Sequence, residues 1–218
     1  MFDLDTLQVK RELKVQGANP DAILYDPATR KLYTFNGKSQ DVSVFDAASG
    51  KPLATIAVGG KPEFAATDGK RIYVNIEDKA EIVAIDAGAD RVLAHWPLAG
   101  CEEPSGLALD TAHARLFSVC ANRTMAVTDA ASGKAVARVA IGGHPDAAVY
   151  DAGTGTVFSS NGEGTLSVVR QLDADHYAPA VEAPTLKGAR TMAFDAATRR
   201  VFLPTVVDKQ FTMVVVGP

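Results

Sequence analysis

DPATRKLY, residues 26–33, returns along the chain as DGKRIY at 68–73, DTAHARLF at 110–117, DAGTGTVF at 151–158 and DAATRRVF at 195–202. The leading residues Asp26, Asp68, Asp110, Asp151 and Asp195 stand 42, 42, 41 and 44 residues apart. Each string is an Asp, a run of turn-forming residues, a basic or small residue, and then an apolar–aromatic pair. Asp suits the first place because its carboxylate accepts from backbone N–H groups two residues on and closes a turn. A second series, Asp3, Asp46, Asp86 and Asp129, opens another turn in the strings FDLDT, FDAASGK, IDAGAD and TDAASGK. A fixed period of this length is the mark of a repeat architecture.

Each period reads as four short strands. In the first they fall at about 21–26, 31–36, 41–46 and 52–58, rich in Val, Ile, Leu, Tyr and Phe and parted by turn residues. No stretch sustains a helical period. Gly-rich connectors separate the repeats: GANP at 17–20, GGKP at 59–62 and GGHP at 142–145. Four strands in each period predict an all-β propeller with one blade per repeat. A solenoid needs helices or shorter coils, and an immunoglobulin-like sandwich does not repeat its own sequence. The repeats divide a single domain, 1–218, at about 17–58, 59–99, 100–141, 142–185 and 186–218.

The last repeat supplies three strands and ends on FTMVVVGP, whereas MFDLDTLQVKRELKV at 1–15 aligns with VFDAASGKPLATIAV at 44–58. Residues 1–16 therefore read as the missing outer strand. We expect Leu7–Val15 to pair with Phe211–Val216, closing about five blades into a ring and removing an exposed edge. The start MFDLDT falls in the middle of a strand, so the chain also reads as five blades of a seven-bladed propeller.

Composition narrows the class. Hydrophobic residues make up 47% and charged residues 22% of 218, enough apolar side chain for a real core. The apolar run Phe211–Val216 is far shorter than the roughly 18 residues that suggest a membrane span. No secretory leader is read after Met1. With 22 Lys and Arg against 26 Asp and Glu, the net charge is −4, and no basic stripe of a nucleic-acid binder is visible. A monomer is expected.

The repeats resemble the YVTN family of β-propellers, the YncE-like proteins. The resemblance is carried by GGKPEF at 59–64, RIYVN at 71–75, RKLYTFNG at 30–37, VSVFDAASGKPLATI at 42–56 and CEEPSGLALD at 101–110, and it spans essentially the whole chain. It implies a propeller of a family that is usually exported and seven-bladed, hence a periplasmic or secreted protein, and says little about biochemistry.

Propellers bind at the ends of the central channel. The residues that begin the inner strands should ring one mouth: Asp21, Glu63, Ser105, Asp146 and Arg190, with Glu103 and His144 beside them. Asn36 should return to the same mouth at the end of a second strand. Several acceptors with the donor Arg190 suit a small polar ligand, or a protein partner. The plainer reading is that polar residues there face channel water. Asp21, Glu63 and Asp146 are also hard oxygen ligands of the kind a divalent cation such as calcium takes. No metal motif of fixed spacing is present, so no cofactor is expected. A nucleophile elbow and a dinucleotide fingerprint are likewise missing, so no catalytic residue is assigned. Trp96, Tyr33, Phe35 and Phe64 read as packing between blades.

Cys101 lies in a connector and Cys120 ends the second strand of the same repeat, on antiparallel neighbours that reach one mouth. A bridge is within reach there, and an exported family fits it. Two unpaired buried thiols are the alternative. Two function classes follow: a non-enzymatic binding or interaction propeller of the YncE-like type, and a metal-dependent, lactonase-like hydrolase centred on Asp21, Glu63 and Asp146.

Overall fold

The computed structural model describes residues 1–217. It is an all-β propeller of five blades, each an antiparallel sheet in simple up-and-down order. Blade 1 contains β1 (Pro20–Asp26), β2 (Lys31–Asn36), β3 (Asp41–Asp46) and β4 (Pro52–Ala57). Blade 2 contains β5 (Pro62–Thr67), β6 (Arg71–Ile76), β7 (Glu81–Asp86) and β8 (Arg91–Pro97). Blade 3 contains β9 (Pro104–Asp110), β10 (Arg115–Cys120), β11 (Thr124–Asp129) and β12 (Ala135–Ala140). Blade 4 contains β13 (Pro145–Asp151), β14 (Thr156–Asn161), β15 (Thr165–Arg170) and the short β16 (Val181–Pro184). Blade 5 has three strands, β17 (Ala193–Asp195), β18 (Arg200–Val207) and β19 (Gln210–Val216). Helix among the described residues is limited to one 3-10 turn, Glu77–Lys79.

The repeated Asp does what its turn requires. Asp26 accepts from Thr29 N at 3.1 Å and Thr29 Oγ1 at 2.5 Å, and its other oxygen accepts from Thr67 Oγ1 of blade 2 at 3.0 Å. One buried carboxylate thus holds a hairpin and a blade boundary together. Asp110 repeats the turn with Ala112 N and His113 N. The basic residue later in the motif is explained as well. Lys31 Nζ reaches Ala87 O and Asp90 at 2.8 Å, Arg71 reaches Ala130 O, and Arg115 reaches Ala174 O, each on the following blade.

Apolar clusters fill the gaps between consecutive blades. Tyr33, Val42 and Val44 meet Ile72, Val74 and Ile85. Tyr73 and Ile82 meet Leu107 and Leu116. Phe117 and Met125 meet Val157 and Val169, and Leu166 meets Val201 and Leu203. Full burial of each such side chain contributes about 1.5–3 kcal/mol. Near the axis the fit is tight. A Cβ on Gly106 of β9 would strike the backbone of Asp146–Ala148 in β13, so only glycine lets these inner strands come so close.

The N-terminal segment corrects the expected closure. No ladder joins Leu7–Val15 to β19 among the described residues. Instead residues 1–11 fold as a small hairpin, with Phe2 bridged to Val9 and Met1 O accepting from Lys10 N and Arg11 N. The reason is a competition for one place. In blade 1, Phe45 pairs with Pro52. By the repeat alignment Phe2 is the counterpart of Phe45 and Val9 of Pro52, so Met1 and Phe2 already fill the position that Val215 and Val216 would need.

Burial works against the charge of Asp26, but the hydrogen bonds from Thr29 and Thr67 outweigh it and hold the carboxyl below the usual range. A depressed folded-state pKa contributes stability above the ordinary carboxylate value and loses it as pH falls through the folded value. Asp26→Asn should therefore lose about 1–3 kcal/mol at neutral pH. Urea unfolding at stepped pH should show the gap between variant and parent closing below the ordinary carboxylate range.

Candidate functional site

The inner strands β1, β5, β9 and β13 each begin with proline: Pro20, Pro62, Pro104 and Pro145. Proline is tolerated at a strand's first residue because no ladder N–H is required there. The register then slips in the first residues of each pairing, between Pro20 and Ala22, Pro62 and Ala65, and Pro145 and Ala148, with the matching slip in blade 3 between Ser118 and Cys120. Such bulges re-aim side chains. The residues just before the prolines in three connectors, Asn19, Glu103 and His144, have φ of 59°, 45° and 56°. This left-handed backbone suits Asn and His and is uncommon for Glu.

The result is a cavity of about 490 Å³ at one mouth of the channel. Asp21, Glu63, Glu103, Ser105, His144, Asp146 and Arg190 all line it. Asn36 does not. It is fully buried within blade 1, where its amide donates to Asp41 Oδ1 at 2.6 Å and Ser43 Oγ at 2.9 Å. The expected mouth position is corrected because a polar amide between two sheets must be satisfied inside the blade. Asn75 takes the same repeat position and donates to Ser105 O and Gly106 O of the next blade.

Sequence reasoning missed Glu77, which opens the 3-10 turn after β6 and lines the cavity. The available signal was its place just beyond the end of a second strand. Lys61 Nζ bonds Glu63 at 2.8 Å and also pairs with Glu77. Burial works against the Lys61 charge, but the two carboxylates outweigh it and its pKa is raised. Burial also pushes the Glu63 carboxyl up, with Lys61 opposing. Arg190 stands 3.9 Å from Asp146, which accepts from Thr191 Oγ1 at 3.4 Å. Asp21 and Glu103 have no ion pair among the described residues. The lining thus has five carboxylates, Asp21, Glu63, Glu77, Glu103 and Asp146, against Lys61 and Arg190.

Asp21, Glu63 and Asp146 are not gathered around a common point. Among the described residues no three of His, Cys, Asp and Glu gather as ion ligands. Glu63 is taken by Lys61, and Asp146 is turned toward Arg190 and Thr191.

Cys101 and Cys120 form a disulfide, with Cα atoms 5.4 Å apart. It ties the connector before β9 to the end of β10, and both residues are buried.

Comparison with protein-family models and with curated proteins gives no match. Solved structures share the fold. One is the hydrazine synthase of Kuenenia stuttgartiensis, with a TM-score of 0.76 and 17% identity over 94% of this chain and 64% of that one. Another is a chain of the mitotic checkpoint complex, with a TM-score of 0.83 and 14% identity over 100% of this chain and 68% of that one. The chain spans about two thirds of the length of each. No helix is long and apolar enough to cross a membrane among the described residues.

The disulfide closes a loop with a sequence separation of 19. Removing it in Cys101→Ala/Cys120→Ala should lower the unfolding free energy by about 3 kcal/mol, read from urea titration. For Glu63 the sign is opposite to Asp26. A raised folded-state pKa favours the neutral acid, so its contribution is present at low pH and lost as pH rises through the folded value. Glu63→Gln should therefore melt at the same or a higher temperature than the parent at pH 7. That advantage should vanish in acid.

Proposed function

We propose that the chain is a non-enzymatic binding propeller of the YncE-like type, acting outside the cytoplasm, and that its mouth cavity holds a small polar ligand through a cationic group. The propeller fold suits a binding scaffold. The observation that carries the reading is the charge of the lining. Five carboxylates converge, both bases are already engaged, and Asp21 and Glu103 stand ready for a positive partner. A primary amine or guanidinium would restore the balance, and His144 and Ser105 add polar contacts at the same wall. The Cys101–Cys120 disulfide is compatible with an oxidising compartment. The lactonase-like reading needs Asp21, Glu63 and Asp146 around one cation, and no observation favours that set.

Titration calorimetry with spermidine and agmatine tests the proposal. Binding is expected at low salt and should weaken as ionic strength rises. Asp21→Asn and Glu103→Gln should each weaken it on the order of fivefold, the roughly 1 kcal/mol of an exposed ion pair. If neither amine binds, or if a dicarboxylate binds instead and depends on Arg190, the cationic reading fails.

A further inference from the structure

In blades 1, 2 and 4 the connector lies against the last residue of the second strand through a glycine. A Cβ on Gly17 would strike Asn36, one on Gly60 would strike Ile76, and one on Gly142 would strike Asn161. Such an approach needs a residue without a side chain. Cys120 holds that place in blade 3, because it pairs with Pro104 as Asn36, Ile76 and Asn161 pair with Pro20, Pro62 and Pro145. There the contact is a covalent bond to Cys101.

The blade 3 connector is also longer. In the other three, the residue just before the proline accepts from the amide that follows the second strand: Asn19 from Gly37, Lys61 from Glu77, and His144 from Gly162. In blade 3 the acceptor is Glu102 O, 2.7 Å from Ala121 N, and Glu103 stands between it and Pro104. Glu103 is therefore an insertion into the repeat. Its φ of 45° is left-handed, a conformation that glutamate takes only where its surroundings impose it. It has no ion-pair partner among the described residues and lines the mouth cavity. The other side-chain ties of this connector, Asn122 Nδ2 to Gly100 O at 3.0 Å and Glu102 N to Asn122 Oδ1 at 3.3 Å, come from an exposed turn, where water competes for the same groups. The disulfide is the buried tie.

We infer that the Cys101–Cys120 bridge is the positioning element of the mouth. It clamps the lengthened connector so that the inserted Glu103 is held at the cavity, and the part of cation binding that Glu103 supplies exists only while the bridge does. The placement of Glu103 stands on the connector geometry, whereas its effect on a ligand rests on the cationic reading of the mouth. Neither cysteine lines the cavity, so both act through Glu103. A carboxylate held in place beforehand spares a ligand the cost of ordering the connector.

Titration calorimetry with agmatine on the parent, Glu103→Gln, Cys101→Ala/Cys120→Ala and the combined variant forms a double-mutant cycle. Glu103→Gln and bridge removal should each weaken binding about fivefold, and the two together should also weaken it about fivefold. Losses that multiply to about 25-fold would mean that Glu103 reaches the amine without the bridge, and an unbridged chain that binds like the parent would overturn the inference equally. Because bridge removal lowers stability, Cys101→Gly/Cys120→Ile supplies a second unbridged chain. It carries the Gly60 and Ile76 pair of blade 2, keeps the contact without the bond, and should show the same loss. Amide hydrogen exchange reads the connector with no ligand present. In the unbridged chains Ala121 N–H should exchange about tenfold faster relative to Glu77 N–H, which makes the same bond in blade 2. An unchanged ratio would overturn the inference. If the parent binds neither agmatine nor spermidine, the cationic reading fails, and the exchange ratio still decides whether the bridge places Glu103.

Discussion

Burial of both faces of each sheet against its neighbours is the constraint on which everything else in this propeller depends. An ordinary antiparallel sheet turns one face to water and alternates polar with apolar residues. Here the middle four residues of β3, β7 and β11 are all buried, and they are apolar except for Ser43 and Thr128. The outer strand Arg91–Pro97, by contrast, alternates strictly between exposed and half-buried residues. A blade folded alone would expose two apolar faces, and no single repeat can be stable without its neighbour. The polar ties cross the same gaps. Tyr33 and Tyr73 donate to Ala87 O and Ala130 O of the following blade, and Lys31, Arg71 and Arg115 do likewise. The recurring basic–apolar–aromatic string is therefore a description of an interface as much as of a hairpin.

That is why the fold was legible in the sequence. A period near 42 residues, an Asp at each turn and, in four of the five repeats, a basic residue before the apolar–aromatic pair follow from one contact made again and again. The strand limits of blade 1 could be read within a residue or so because turn chemistry brackets each strand. Blade 4 shows the limit. Its outer strand is reached through the irregular stretch 171–180 and is only four residues long, and no motif announces where it begins. The pairing of residues 1–15 also lay beyond reach. Their alternation correctly marks an outer strand. Periodicity cannot say which third strand such a segment accompanies, and Met1 and Phe2 answer that locally.

The mouth was legible in part for a related reason. A residue directly after a connector proline starts an inner strand, so Asp21, Glu63, Ser105 and Asp146 could be placed by alignment alone. Asn36 could not be placed by type. Its recurrence as Asn75 and Asn161 was the better signal. A polar residue repeated at one position in several blades has a structural duty, within its own blade for Asn36 and Asn161 and toward the next blade for Asn75, and all three are fully buried. Residues that vary between repeats at one position, such as Glu63, Ser105, Asp146 and Arg190, are free of that duty.

The variable ring also explains the local cost of the mouth. Converging carboxylates repel one another, and a desolvated one such as Glu63 is less comfortable charged than in water. Lys61 offsets this by bonding both Glu63 and Glu77, which fixes two of the acids in place. Asp21 and Glu103 lie outside that arrangement, one following a proline and one held at positive φ. Bulges and left-handed connectors place these side chains without disturbing the apolar clusters behind them, which remain continuous from blade to blade. The unpaired carboxylates Asp21 and Glu103 stand at the rim where the repeats differ, while the interfaces that hold the propeller together keep the chemistry that the repeats share.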